Sequence, residues 1–207
     1  MSYYIHSRAS LLKHISFQPK IVLEVGCAAG NFGKLLKEKF SCTVWGVEPV
    51  KKAGKQASEK LDKVYIDLYS RDLNLPTEHF DFITFNDVLE HMENPWEALN
   101  YSKELLTSEG KIMASIPNFF YFYEFIPFLL SKDWLFKASG IFDKTHLRFF
   151  TKKSMVRLFE ESGYIVEKIE GIGKVKSRKI WLLNILTLGY CTDMYYEQYL
   201  VIAKKKV

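Results

Sequence analysis

The chain has 207 residues, of which 48% are hydrophobic and 26% charged, and this composition excludes an intrinsically disordered or low-complexity protein. Its net charge is +5, but the basic residues are spread along the sequence, with the densest run at residues 204–206, so nucleic acid is not an expected partner. The three cysteines, Cys27, Cys42 and Cys191, have no metal-ligand spacing and follow no secretory signal; we therefore expect one reduced, cytoplasmic domain, residues 1–207, without a metal site.

The first half of the chain alternates strand and helix patterns. A β-branched run at residues 21–25 ends at Gly26, and apolar residues at helical spacing follow it. The same order then repeats, with strand-forming runs rich in Val, Ile, Phe and Tyr. This half predicts strands at 21–25, 43–49, 63–68 and 80–87, and helices at 31–40 and 51–61.

The second half contains two well-marked helix starts. Asn94 precedes Pro95, which is typical of an N-cap and a first helical position, and Thr151 can cap a helix that Gly163 ends. Strands alternating with helices predict an α/β fold: a Rossmann-like, doubly wound, mostly parallel sheet of about seven strands. This half supplies strands at 111–118, 164–173 and 197–206, and helices at 95–107 and 151–163.

Residues 119–150 are too many for a simple connection and are rich in aromatic side chains. We expect an insertion over the strand ends that forms a lid or an acceptor pocket with aromatic walls. The alternatives are a satellite core, a homodimer surface, or a contact with a membrane or a lipid-linked substrate. A membrane-spanning helix over residues 112–130 has sufficient length, but Pro117, Glu124 and Pro127 interrupt the run.

The stretch LEVGCAAGNFG, residues 23–33, places a glycine turn after the first strand. In a parallel sheet the ligand lies beyond the carboxyl ends of the strands, so this turn should meet the ends of the second and fourth strands. A dinucleotide-binding turn has the spacing G-x-G-x-x-G, but Ala28 and Asn31 occupy its second and third glycine positions here. This departure disfavours an NAD-dependent oxidoreductase. A tight turn without any ligand is the alternative interpretation.

Polar residues at the strand ends indicate what the turn binds. Glu48 lies 22 residues after Gly26, where a carboxylate can accept hydrogen bonds from both hydroxyls of a ribose. Glu24 lies inside the first strand, where a charge needs a cationic or hydrogen-bonding partner, and a salt bridge to a helix is the alternative. Asn86 and Asp87 end the fourth strand and should reach the same place. The combination predicts a nucleoside ligand.

The motifs LEVGCAAGNFG, VWGVEP, VYIDL and FDFITFNDVLEHMENP resemble those of class I S-adenosylmethionine (SAM)-dependent methyltransferases, in order and over roughly residues 20–170. The resemblance implies SAM as the cofactor, and an acid near its sulfonium would favour the positive charge. The resemblance also implies contacts to the methionine part from Gly26, Cys27, Ala28 and Gly30, to the ribose from Glu48, to the adenine from Asp67 and Leu68, and to the amino-acid part from Asn86 and Asp87. For Asp67, the alternative to an adenine contact is an ordinary solvated acid at a strand end.

Methyl transfer to a hydroxyl requires alignment of the two reactants and removal of a proton. His91, in NDVLEHM, and His146, in DKTHLRFF, are the candidate bases, and a structural hydrogen bond in a loop is the alternative for each. The segment FDKTHLRFFTKKSMVRLFEESGY resembles a branch of the family associated with sugars, surface polysaccharides and other small metabolites. We therefore expect a methyltransferase with a small-molecule acceptor; a noncatalytic cofactor-binding module is the alternative.

Overall fold

Residues 8–206 are described by a computed structural model, and within them seven strands form one sheet. The strand order is β3-β2-β1-β4-β5-β7-β6, and β7 runs antiparallel to both of its neighbours while the other paired strands are parallel. The doubly wound, mostly parallel sheet predicted from the sequence is confirmed. The strands are β1 (Ile21–Val25), β2 (Thr43–Val47), β3 (Lys63–Tyr65), β4 (Phe80–Asn86), β5 (Leu106–Pro117), β6 (Tyr164–Lys174) and β7 (Tyr196–Lys205).

Helices connect these strands, and their predicted caps are present. The Asn94 side chain accepts a hydrogen bond from the backbone N–H of Glu97, and Thr151 forms a capping box with Ser154. Gly163 follows the second of these helices with a φ of +81°, as expected for a glycine just past a helix end. The helices are α1 (Asn31–Phe40), α2 (Lys51–Ser58), α3 (Pro95–Leu105), α4 (Phe122–Ser131), α5 (Lys152–Glu161) and α6 (Arg178–Leu186).

Apolar side chains fill both faces of the sheet, which is why its central strands are hydrophobic throughout. Leu23 of β1 points to one face, where it belongs to a cluster with Leu99 of α3 and Phe159 of α5. Its neighbour Val22 points to the other face and packs with Leu36 of α1. All these side chains are at most 1% exposed, so the sheet is held as the middle layer of three.

Several element boundaries differ from the predicted ones. Strand β2 ends at Val47 and β3 at Tyr65, which are the last residues that pair with each other. The N–H of Glu48 donates to Tyr65 O at 3.0 Å, and the two chains separate beyond this bond. Strand β5 begins at Leu106 rather than at 111, since Leu106 pairs with Phe80 directly after α3. These shifts leave the polar residues after β2 and β3 in loops rather than in strands.

Helices α4 and α6 were not predicted. Pro127 lies inside α4, contrary to the expectation that it interrupts the apolar run, whereas Pro117 does end β5. Helix α4 spans only ten residues. Among residues 8–206, no helix combines the length and the apolar character that crossing a bilayer requires.

The insertion at 119–150 packs largely on itself. Phe119 stacks on Trp134 with ring centroids 5.8 Å apart, and Trp134 meets the edge of Phe142 at 4.9 Å. Further aromatic contacts come from Phe125, Phe128 and Phe149. This satellite core follows β5 at the carboxyl edge of the parallel strands, so it holds the rest of the insertion near the expected ligand position.

Candidate active site

A cavity of about 490 Å³ opens where the chain leaves β1, β2 and β4. The carboxyl ends of these parallel strands meet at one edge of the sheet, so residues distant in sequence become neighbours there. Of the residues proposed from the sequence, those that line this cavity are Glu24, Gly26, Cys27, Ala28, Glu48, Asn86, Asp87 and His91.

The glycine turn is shaped by left-handed backbone conformations. Gly26 has a φ of +68°, and a Cβ atom added to it would lie 2.4 Å from Val88 Cγ2. The N–H groups of Gly26 and Cys27 both donate to Val47 O, at 2.8 and 3.1 Å, which ties the turn to the end of β2. Ala28 also has a positive φ, +46°, although alanine rarely adopts this conformation. The turn thus keeps its strained geometry without a glycine at position 28.

Glu48 bridges the turn and the start of α2. Its carboxylate is buried and accepts hydrogen bonds from the N–H groups of Ala28 and Val50, each at 2.9 Å. A carboxylate has about four lone-pair positions, so these two bonds leave capacity for the hydroxyls of a ligand. The residue therefore fixes the turn and presents acceptor atoms to the cavity at the same time.

Asn86 has a buried amide that lacks any hydrogen-bond partner among residues 8–206, for both its Oδ1 and its Nδ2 atoms. Leaving such a group unpaired costs about 1–3 kcal/mol, which a ligand in the cavity can recover. Its neighbour Asp87 has a φ of +55° and accepts a hydrogen bond from Gln198 Nε2 at 2.8 Å. Asp87 also forms an ion pair with Arg8.

Glu24 is an acidic side chain in the wall of the cavity. It is 3% exposed, and its Oε2 atom has no hydrogen-bond partner within residues 8–206. Burial raises the pKa of this carboxyl to about 8, and the nearby charge of Glu48 acts in the same direction, while a backbone hydrogen bond with Gly33 opposes the rise. Within residues 8–206 Glu24 forms no salt bridge to a helix, so its carboxyl can accept a hydrogen bond from a ligand or lie beside a positive charge.

Three of the residues expected at the cofactor are not brought into the cavity lining. Gly30 has a φ of +72° and backs onto Ala57, where a Cβ would lie 2.9 Å from the α-carbon, so it serves the packing of the turn against α2. Asp67 and Leu68 are exposed beyond the end of β3, and Asp67 Oδ1 accepts a bond from the Leu68 N–H at 2.8 Å. Their adenine contacts remain a prediction.

Other lining residues were not anticipated from the sequence. Arg8 precedes the first strand in a stretch without any motif, so no sequence signal pointed to it. Asn31 and Phe32 directly follow the glycine turn, and this adjacency could have indicated them. The insertion contributes Ala138 and residues 143–145 to the lining.

His91 and His146 lie together, with ring centroids 4.7 Å apart and nearly perpendicular planes. The Nδ1 atom of His91 donates to Thr145 O at 3.1 Å, and that of His146 donates to Ile141 O at 2.9 Å. Because a carbonyl oxygen can only accept, both Nδ1 atoms carry the proton and the neutral rings have their lone pair on Nε2. Burial lowers the pKa of His146, which favours this neutral form.

Glu90 completes this group. It is 1% exposed, both carboxylate oxygens lack a partner within residues 8–206, and burial raises its pKa to about 8. Ligand atoms of Glu90, His91 and His146 all lie within 4.8 Å of one another. These are donor types that divalent transition metals accept, although the cysteine and histidine spacing in the sequence gave no indication of a metal site.

A second cavity of about 560 Å³ adjoins the first, and Arg8, Asp87 and Asp143 line both. His146 and Glu90 line the second cavity, together with Gln198 and residues 139–141 of the insertion. No aromatic ring of the satellite core is among its described lining residues, and polar side chains form part of its wall. The aromatic walls of an acceptor pocket remain a prediction.

Comparisons with known proteins identify the family and the fold. Residues 2–169 match the family model described as a methyltransferase domain. A SAM-dependent methyltransferase from Archaeoglobus fulgidus is 20% identical, with a TM-score of 0.68 over 96% of this chain and 92% of that one. A Thermotoga maritima SAM-dependent methyltransferase, described as a possible histamine N-methyltransferase, is 19% identical with a TM-score of 0.67, covering 98% and 89%.

The same fold also occurs in the [4+2]-cyclase SpnF, which is 14% identical with a TM-score of 0.64 over 97% of this chain and 82% of that one. At these identities the solved structures establish the fold and not the reaction. Comparison with curated protein sequences gives no match.

Proposed function

Because the chain belongs to the methyltransferase-domain family, we propose that it binds SAM behind the glycine turn and transfers the methyl group to a hydroxyl of a small polar molecule, such as a sugar. The observation that carries this proposal is the buried amide of Asn86, unpaired within residues 8–206, in a cavity that also holds Glu24 and the glycine turn. An unpaired buried amide and a partly unpaired carboxyl together favour a ligand that brings both donors and positive charge.

The chemistry of SAM accounts for these polar groups. The ribose hydroxyls donate to Glu48, whose two backbone hydrogen bonds hold the carboxylate in place. Asn86 and Glu24 would hold the methionine part, through hydrogen bonds from the amide and through the negative charge of the carboxylate. The ionised carboxylate of Glu24 would stabilise the positive charge of SAM before methyl transfer. Because the leaving group is a neutral thioether, this stabilisation is lost in the transition state, so strong binding of the cation by Glu24 would slow the reaction.

The acceptor occupies the second cavity. Its lining is rich in hydrogen-bonding groups, among them Gln198, Glu90 and His146, and these suit a hydroxylated molecule better than an aromatic one. In the reaction the acceptor oxygen forms a bond to the methyl carbon while the carbon–sulfur bond breaks. The products are the methyl ether, S-adenosylhomocysteine and one proton.

One imidazole of the His91–His146 pair takes that proton. Both rings present an Nε2 lone pair in their neutral form, and they stand where the two cavities meet, since His91 lines the first and His146 the second. A general base in this position contributes roughly 10²–10⁴-fold to the rate. Alignment of oxygen and methyl group contributes a larger part of the rate enhancement.

Two other functions compete with this proposal. A noncatalytic module would keep the first cavity and lack turnover. In an NAD-dependent oxidoreductase the backbone at position 28 would have to lie close to the diphosphate of NAD. The methyl group of Ala28 disfavours this close approach.

Calorimetric titration with SAM, S-adenosylhomocysteine and NAD separates the alternatives. We expect both adenosyl compounds to bind and NAD not to bind; tight NAD binding without SAM binding would contradict the proposal. Transfer of a labelled methyl group is then measured over a panel of sugars, sugar nucleotides and hydroxylated aromatics. Transfer to hydroxylated aromatics alone would replace the sugar assignment, and SAM binding without transfer to any member of the panel would favour the noncatalytic module.

A further inference from the structure

Helix α6 exposes an unusual amount of apolar surface. Ile180 is its only buried residue, whereas Trp181 is 59% and Leu186 is 73% exposed. The residues that follow continue the pattern, with Leu188 97% exposed. Isolated exposed apolar side chains are common, but a contiguous group of this kind marks an interaction site. The exposed members are Trp181, Leu182, Ile185, Leu186, Leu188 and Tyr190.

Helix α4 adds a second apolar segment at the same edge of the sheet. It has no buried residue, and Leu129 and Leu130 are exposed, as are Leu135 and Phe136 just beyond it. Strands β5 and β6 are both antiparallel to β7 and therefore parallel to each other, so α4 after β5 and α6 after β6 leave the sheet at one edge. Asn118 precedes α4, and its Nδ2 donates to the backbone oxygens of Asp193 and Tyr196, so the chain before α4 is tied to the chain that follows residue 190.

The segment around α6 is also strongly basic. Residues 171–192 contain four basic residues and no acidic one. All four side chains are exposed, and none forms an ion pair with another described residue. They precede the apolar residues of the helix directly: Lys174, Lys176, Arg178 and Lys179.

We propose that α4, α6 and residues 187–190 form a docking surface for an anionic lipid bilayer. Apolar side chains such as Trp181 and Leu186 enter the boundary between headgroups and acyl chains, and the cations beside them meet lipid phosphates. A second copy of this chain fits less well, because a two-fold interface through this segment would bring in four more cations and no acidic residue of 171–192 to pair with them. The proposal does not depend on methyl transfer. Docking at this surface would place the edge of the sheet that carries both cavities close to the membrane.

Flotation with vesicles tests the surface directly on the full chain. One vesicle set contains phosphatidylcholine alone and the other a mixture with phosphatidylglycerol. We expect binding to the mixed vesicles that weakens with added salt. A charge variant, K176E/R178E/K179E, and an apolar variant, L182S/L186S/L188S, should each lower the partition coefficient by about tenfold or more. The matched control K51E/K52E/K55E, on exposed positions of α2, changes the net charge equally and should bind within about twofold of the unmodified chain.

The outcomes distinguish a lipid bilayer from a second copy of the chain as the occupant of this surface. All variants alter exposed side chains, and circular dichroism verifies that they fold. Absence of binding to the mixed vesicles at low salt overturns the proposal, as does an equal loss in the α2 control. If light scattering finds a dimer that the apolar variant separates while no vesicle is bound, the surface is an interface between two copies instead.

Discussion

Glutamine at position 24 should make the stability of the cofactor-free protein less sensitive to pH. Burial raises the pKa of Glu24 from its ordinary value of 4.5 to about 8, so between these values the native state holds a proton that the unfolded chain has lost. Raising the pH through this window therefore favours unfolding. This difference in pKa between the native and unfolded states lowers the free energy of unfolding by roughly 3 kcal/mol at pH 7, and by about 5 kcal/mol when Glu24 is ionised in both states.

Urea unfolding of the cofactor-free protein at several pH values measures this effect. We expect Glu24→Gln to gain about 3 kcal/mol of stability relative to the unmodified chain between pH 5 and pH 8, because the amide keeps the shape without the buried charge. Glu90→Gln is the matched control. Glu90 has the same raised pKa, about 8, and should flatten the pH dependence similarly, but it lines the second cavity.

Cofactor binding separates the two carboxyls. A cation beside Glu24 favours its ionised form, so SAM affinity of the unmodified chain should rise between about pH 6 and pH 8. Glu24→Gln should lower the affinity and remove this rise, whereas Glu90→Gln should keep it. If Glu24→Gln leaves the pH dependence of both unfolding and binding unchanged, the buried charge of Glu24 and its proposed role toward the cofactor are both refuted.

Four further substitutions test the remaining parts of the site. Gly26→Ala should lower SAM affinity at least about tenfold and destabilise the fold by about 1–3 kcal/mol, since its methyl group meets Val88 in a left-handed turn; equal affinity in a titration would refute the turn's role. Glu48→Ala should weaken SAM binding by about 1–3 kcal/mol, and unchanged affinity would remove Glu48 from the cofactor site. His91→Ala or His146→Ala should slow methyl transfer by roughly two to four decades with SAM affinity intact. A loss of activity on treatment with a chelator, restored by zinc, would instead make the two imidazoles and Glu90 metal ligands.

Local sequence patterns were sufficient for the fold and for the family. The hydrophobic runs of β1 and β4, the N-cap Asn94 and the capping residue Thr151 all lie where predicted, because each depends on a few neighbouring residues. The end of β3 was not predictable in this way. Its last residue, Tyr65, pairs with Val47 at the end of β2, and this register between two strands distant in sequence is not contained in a local pattern.

The site required information that no local pattern contains. The turn and the ends of β2 and β4 could be assigned to one cavity from general rules for parallel sheets. Arg8 could not, because its place depends on an ion pair with Asp87, far away in the sequence. The sequence shows that the insertion is rich in aromatic residues, but composition does not show whether their rings face a ligand or one another. In the structure the rings pack on one another as a satellite core.

The contacts of Glu90 tie the insertion to the cavity proposed for the acceptor. Its backbone oxygen accepts hydrogen bonds from the N–H groups of Leu147 and Arg148, at 2.8 and 3.0 Å, so the last part of the insertion is fastened to the turn that carries His91. The first cavity is built mainly from the sheet edge, whereas residues 139–141 and His146 of the insertion help to form the second. Changes in residues 139–141 should therefore alter which acceptor is methylated while leaving SAM affinity within about twofold.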